Sequence, residues 1–177
     1  MKYKIYENYL DKKNCLELQN WILEHINTPI FEDANMEGNR LTTRYSDNFE
    51  FPHQAISIRD RIIQILCLSD YSFVSFNEGM MADYAMPGDT CYKHTDRVWK
   101  EGTITLHCNI KLTDCIGGEP FIEDKIIQMN IGDMLVYPVS IVEHGSNLVK
   151  GKNPRLFWMF CFCIKQSDYQ RLFNINF

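Results

Sequence analysis

Apolar residues recur at helical intervals in two segments of the first 70 residues. After Asp11, the stretch KKNCLELQNWILEHI sets Leu18, Trp21, Ile22 and His25 three and four apart, which predicts an amphipathic helix with Asp11 as its N-cap. Thr28-Pro29 is its stop signal, and a second helix is predicted from about Pro52 to Leu68. Between them, FEDANMEGNRLTTRYSDNFEF holds no period and carries Gly38, so a long loop or short hairpin is expected. Segments of that kind often carry function.

From Tyr71 the pattern changes to short β-rich runs broken by Gly, Pro and Asp: YSFVSFN, MMADYAM, GTITLHCNIKL, PFIED, KIIQM, DMLVYPV and RLFWMFCFCI. So many short strands predict a sandwich or barrel. The last run is apolar at both parities, Phe157, Met159 and Cys161 on one face and Leu156, Trp158 and Phe160 on the other. A strand covered on both sides fits best, lining a barrel inside and backed by the N-terminal helices outside. The expectation is a single domain over 1–177, with a helical part at about 1–70 and a barrel core at about 71–165. No repeat, linker or low-complexity segment interrupts it.

Composition narrows the classes. A chain of 177 residues that is 45% hydrophobic suffices for one buried core. The net charge of -5 and the lack of a basic stripe give no reason to expect a nucleic-acid partner. The charged N-terminus MKYKIYENYLDKKNC does not resemble a secretory signal, and the longest apolar run, Leu156 to Ile164, is too short for a membrane span, so a cytoplasmic protein is expected. Seven cysteines without a C-x-x-C pair predict reduced, mostly buried thiols rather than a zinc ribbon or redox motif. Oligomeric state is left open.

The candidate chemistry begins at His94-Thr95-Asp96. In extended chain these two side chains project to one side, where an imidazole and a carboxylate can share an ion. Alone the pair is weak, since on the order of 0.3 would arise by chance in this composition. His144, 50 residues downstream after DMLVYPV, completes a set of two histidines and one carboxylate that can cap one face of an octahedral Fe(II) and leave open positions. Arg155 begins the final strand, and a buried guanidinium can grip a carboxylate in bidentate fashion.

Taken in order, YAMPGDTCYKHTD, TITLHCNIKLTDCIGGEPFIED and GDMLVYPVSIVEHGSNLVKGKNPRLFW resemble the 2-oxoglutarate/Fe(II)-dependent oxygenase superfamily, nearest its prolyl-hydroxylase-like branch. The resemblance covers roughly residues 71–165. It implies an α+β fold, a double-stranded β-helix (a jelly-roll, cupin-like barrel) backed by N-terminal helices. His94, Asp96 and His144 would bind iron, and Arg155, with a one-residue surplus over the usual offset, would bind the far carboxylate of 2-oxoglutarate. Tyr84, ten residues before His94, stands where a co-substrate tyrosine occurs in the branch; otherwise it is a half-buried strand residue. Gly117-Gly118-Glu119 resembles a structural turn of the family.

The chain departs from the pattern at Phe157, where relatives often carry Ser or Thr as a second donor to the co-substrate. Lys150 and Lys152 are substitutes should Arg155 point outward. His107 and Asn109 share one strand parity and are candidates for the pocket wall, with core or solvated roles as the alternative. His25 and His53 are expected to be structural, as are the cysteines, although Cys91 lies close to the iron motif. Trp21, Trp99 and Trp158 carry no spacing for a nucleic-acid stacking platform.

The resemblance thus implies a dioxygenase using Fe(II), 2-oxoglutarate and O2, with ascorbate as an accessory reductant. It would hydroxylate an unactivated C–H bond and release succinate and CO2. The carboxylate at Asp96 favours hydroxylation over halogenation, since related halogenases lack it. A prolyl residue in a protein or peptide is the expected substrate, with a free amino acid or other small metabolite as the alternative. Substrate choice is expected in segment 31–51 and in Arg97 to Gly102. A non-catalytic cupin-like metal-binding module would use the same barrel without needing Arg155. A zinc hydrolase is disfavoured, because no H-E-x-x-H arrangement is present.

Overall fold

The computed structural model describes residues 2–34, 39–43, 50–74 and 77–174. Its centre is the long strand β14 (Arg155–Ile164), all ten residues of which are buried. Strand β7 (Ile104–Lys111) pairs along one edge, with Trp158 opposite Ile110. Strands β5 (Met80–Ala85) and β4 (Tyr71–Phe73) divide the other edge. The larger sheet runs β1 (Lys4–Tyr6), β11 (Met134–Tyr137), β7, β14, β5, β3 (Leu41–Thr43) and β2 (Phe31–Asp33), and is antiparallel throughout.

A smaller sheet stacks β10 (Lys125–Ile126), β9 (Pro120–Ile122), β12 (His144–Ser146) and β6 (Cys91–His94). A separate ribbon joins β8 (Ile116–Gly117) to β13 (Val149–Lys150). Short antiparallel strands in two sheets form the expected jelly-roll, and the expected hairpin in segment 31–51 appears as the β2–β3 pair. Gly38 lies outside the described residues.

Strand parity separates two apolar clusters. Leu156, Trp158, Phe160, Phe162 and Ile164 of β14 join Leu106, Cys108 and Ile110 of β7 and the helices in one. Phe157, Met159, Cys161 and Cys163 join Leu135 and Tyr137 in the other, between the sheets. This is the two-sided cover read from the sequence, and it follows from the alternation of side chains along a strand.

Helix α1 (Lys12–His25) is capped by Asp11, whose carboxylate accepts from the Asn14 amide at 2.9 Å. It buries Cys15, Leu18 and Ile22, and α2 (His53–Ile65) buries Ala55, Ile58, Arg59 and Ile62, both at the three-and-four spacing of one helical face. Trp21 meets the edge of Trp158 at 5.3 Å, and Phe51 meets it at 5.7 Å, which fixes the helical layer on β14. His25 stacks on Trp21 at 4.4 Å and its Nδ1 contacts the Trp21 carbonyl at 2.7 Å, the structural role expected of it.

Strand β1 and helix α3 (Gln166–Phe173) are not among the elements expected from the pattern. Strand β1 closes the edge of the larger sheet inside the part read as helical, and α3 packs Tyr169, Leu172 and Phe173 onto the core. The cysteines are free, with Cys15, Cys91, Cys108, Cys161 and Cys163 buried. No helix among the described residues is long and apolar enough to cross a membrane.

Candidate functional site

His94 is the last residue of β6 and His144 the first of β12, and the register sets them directly opposite. Opposed residues of an antiparallel pair point to the same side, so the two rings meet with centroids 4.4 Å apart. Gly145 lets the strands close in: a Cβ there would lie 2.6 Å from the Phe121 ring and 2.7 Å from the Cys91 carbonyl oxygen. Asp96 follows two residues after His94, held by its amide donating to the Val139 carbonyl at 3.0 Å. One donor atom from each of His94, Asp96 and His144 falls within 4.8 Å of the other two.

The ring orientations suit a metal. Nδ1 of His94 lies 2.7 Å from the Tyr92 carbonyl oxygen, and Nδ1 of His144 lies 3.1 Å from that of Val142. A carbonyl only accepts, so each Nδ1 carries a hydrogen and each Nε2 is turned toward the shared space, the arrangement that orients imidazoles toward a metal. Nε2 of His94 is 3.1 Å, and that of His144 3.6 Å, from one Asp96 oxygen. Two neutral nitrogens and one carboxylate fit a divalent transition metal with open coordination positions.

Without an ion, the charges settle on one another. Burial works against the charged form of His94, but its hydrogen bond to Asp96 prevails and lifts its pKa to about 10. Burial raises Asp96, yet the His94 contact and the neighbouring His107 and His144 bring it down to about 2. Burial dominates at His144 and lowers it to about 4. His107 stands 3.6 Å from the other Asp96 oxygen, and burial again favours its neutral form.

These residues open onto a pocket of about 540 Å³, its mouth included, between the two sheets. Its wall includes His94, Asp96, His107, Asn109, His144 and Arg155, so six of the seven residues singled out from the sequence meet there. Asn109 donates to the Tyr137 hydroxyl at 3.0 Å, and its own carbonyl oxygen is buried without a hydrogen-bond partner among the described residues. Arg155 is buried, while Lys150 and Lys152 are exposed and lie off the pocket wall.

Tyr84 is the correction. It packs against the helix-side cluster, and the pocket-facing parity of β5 belongs to Met81 and Asp83. The offset from His94 pointed to the right strand, but one residue along a pleat reverses the face. Two charged pocket residues escaped the sequence reading. Asp83 pairs with Arg155 at 2.8 Å and also with Arg40, which precedes β3. A carboxylate inside the apolar run MMADYAM was a usable signal for Asp83. Arg40 sits in a polar stretch without a period and gave none.

No family model matches this sequence, and no curated protein does. Solved structures do resemble it. A viral collagen prolyl hydroxylase from Paramecium Bursaria Chlorella virus-1, in its 2-oxoglutarate complex, superposes with a TM-score of 0.70 at 14% identity, over 93% of this chain and 97% of that one. The chain shares the fold of the 2-oxoglutarate oxygenases. A Trichoplax adhaerens prolyl hydroxylase bound to a hypoxia inducible factor peptide fragment gives 0.68 at 12% identity, over 94% and 85% of the two chains. HygX from Streptomyces hygroscopicus, with nickel, 2-oxoglutarate and hygromycin B bound, gives 0.67 at 11%, over 93% and 84%.

Proposed function

We propose that this chain is a single-domain, cytoplasmic Fe(II)- and 2-oxoglutarate-dependent dioxygenase that hydroxylates an unactivated C–H bond. The observation that carries the reading is the convergence of His94, Asp96 and His144 within 4.8 Å on a pocket whose wall also holds the buried Arg155. The same fold in enzymes solved with 2-oxoglutarate supports it.

His94 and His144 would present Nε2, and Asp96 a carboxylate oxygen, to Fe(II). The chemistry supplied by the bound ion is O2 activation, in which 2-oxoglutarate becomes succinate and CO2 while one oxygen atom enters the substrate C–H bond. The protein orients and excludes. Carbonyls of Tyr92 and Val142 fix the imidazoles, Arg155 holds the far carboxylate of the co-substrate, and Met81, Phe157 and Met159 keep that part of the wall dry. His107, neutral and beside the second Asp96 oxygen, steadies that carboxylate.

The proposed substrate is a prolyl residue in a protein or peptide, which follows the branch resemblance and the likeness to prolyl hydroxylases, one of them bound to a peptide. HygX, with hygromycin B bound, is nearly as similar, so small molecules belong in the same screen. At Arg97 to Gly102 the Arg97 guanidinium lies 3.9 Å over the Trp99 ring and Val98 is exposed, which makes this segment a candidate for contact with substrate. Exchanging it should alter substrate preference; an unchanged preference would place selection elsewhere.

The test is anaerobic reconstitution with Fe(II) and 2-oxoglutarate, then admission of air and assay for succinate. Wild type should release succinate even without its substrate, and His144→Ala should not. Metal binding with no succinate from either protein would favour the non-catalytic cupin-like module.

A further inference from the structure

Around the converging His94, Asp96 and His144, the chain forms a lip whose parts are hydrogen-bonded to one another. The Asp96 amide donates to the Val139 carbonyl at 3.0 Å, the Thr105 hydroxyl to the Arg97 carbonyl at 3.3 Å, and the Thr105 amide to the Ser140 hydroxyl at 2.9 Å. The segment after Asp96 and the turn before His144 therefore lie side by side. Each of the three converging residues has a large exposed side chain two or three positions away: Tyr92 at 53% exposure, Val98 at 50% and Ile141 at 46%. Apolar and aromatic surface gathered at the mouth of a pocket marks contact with a partner.

The charge on this lip is Arg97. Its guanidinium lies over the Trp99 ring, which packs in turn on the apolar cluster between the sheets. Among the described residues that guanidinium makes no hydrogen bond and no ion pair, not even with Glu101 of the same segment. The contrast with other cations is plain. Arg59, Arg155 and Arg171 each meet a carboxylate, Arg61 donates to Tyr9, and Lys93, beside His94, meets Asp124 and Glu143. Stacking on an indole fixes the plane of a guanidinium and leaves its N–H fork free to grip a carboxylate. With a net charge of -5 the molecule as a whole repels acids, so selection of an acidic ligand needs a local cation such as this one.

We propose that Arg97, braced on Trp99, is a specificity-determining residue that binds a side-chain carboxylate of a peptide substrate, while Val98 and Ile141 take apolar residues beside it. The preferred substrate is then a peptide with Asp or Glu near the oxidised residue, not a neutral or basic one. A peptide fits better than a single amino acid, because the exposed side chains come from three separate segments around the mouth. The inference rests on the proposed function and adds the charge of the substrate to it.

The test incubates the protein with Fe(II), 2-oxoglutarate and air together with three sets of acetylated, amidated peptides. Each peptide carries a central Pro among Ala, Gly and Leu, with one Glu, one Lys or neither according to the set; free proline is a fourth sample. Mass spectrometry reads the gain of one oxygen atom, and succinate is assayed alongside. Wild type should favour the Glu set over the Lys set by at least about fivefold, Arg97→Gln should lower that ratio at least about threefold, and Arg97→Glu should invert it. Each ratio is taken within one protein, so a general loss of activity cancels. An undiminished ratio in Arg97→Gln, no preference in wild type, or oxidation of free proline in place of the peptides would overturn the assignment. Should Arg97→Gln oxidise no peptide, Arg97→Glu decides: a lowered ratio supports the assignment and an unchanged one overturns it. Succinate from wild type with no peptide oxidised overturns this inference and leaves the proposed function standing. No succinate from any mixture removes the proposed function, and this inference with it.

Discussion

The two faces of the larger sheet are both buried and carry opposite chemistry. On the helix side, β14 offers Leu156, Trp158, Phe160 and Phe162, which meet α1, α2 and Phe51 in a closed apolar layer. On the pocket side the same strand offers Arg155, Phe157 and Met159, and β5 and β7 add Asp83, His107 and Asn109. Alternating residues of one strand therefore divide the work, one set closing the apolar layer under the helices and the other lining the pocket. A change on one face should leave the other's property nearly untouched.

The largest effect that separates the faces is expected from Trp158→Ala. Trp158 is fully buried against Trp21 and Phe51, so its loss should cost about 3–5 kcal/mol in chemical denaturation. His144→Ala reverses the outcome. Metal affinity measured by calorimetry should fall more than about 100-fold, because a direct ligand is worth at least as much as an outer partner, while the denaturation midpoint barely moves.

A smaller effect tests the charges at the metal end. Metal-free His94 has a pKa of about 10, so it is protonated at neutral pH, and an ion must displace that proton from Nε2. Apparent metal affinity should therefore fall as pH is lowered, by up to about tenfold per unit between pH 10 and pH 7. His144, at about 4, is already neutral across that window and adds no slope. Calorimetry at pH 8 in buffers of different ionisation heat should show about one proton released per ion; none released would contradict the pairing of His94 with Asp96.

The smallest effect is a control on strand parity. Tyr84→Phe should change 2-oxoglutarate affinity by less than about twofold, since Tyr84 faces the helix-side cluster. A larger loss, read in the same titration, would return Tyr84 to the pocket.

Much of this was legible in residues alone. The alternation in RLFWMFCFCI marked a strand covered on both sides, and H-x-D with a histidine 50 positions on marked three side chains that converge on the pocket. Local spacing suffices where the chain itself brings residues to one side, as with His94 and Asp96. It fails where pairing between distant strands decides. Arg40 reaches the pocket only because β3 pairs with β5, a contact between positions 42 and 83 that no local period encodes. Helix α3 is a different omission: Tyr169, Leu172 and Phe173 carry a helical stripe, but over eight residues it is too short to stand out.

The central proposal is that His94, Asp96 and His144 hold one metal ion and Arg155 the far end of the same co-substrate. Diffraction from an anaerobic crystal of the Mn(II) and 2-oxoglutarate complex, with anomalous data locating the manganese, tests it most directly. The expected map places manganese on Nε2 of His94, an Asp96 oxygen and Nε2 of His144, with the distal carboxylate at Arg155. Manganese at any other group of ligands, or the distal carboxylate turned away from Arg155, would contradict it.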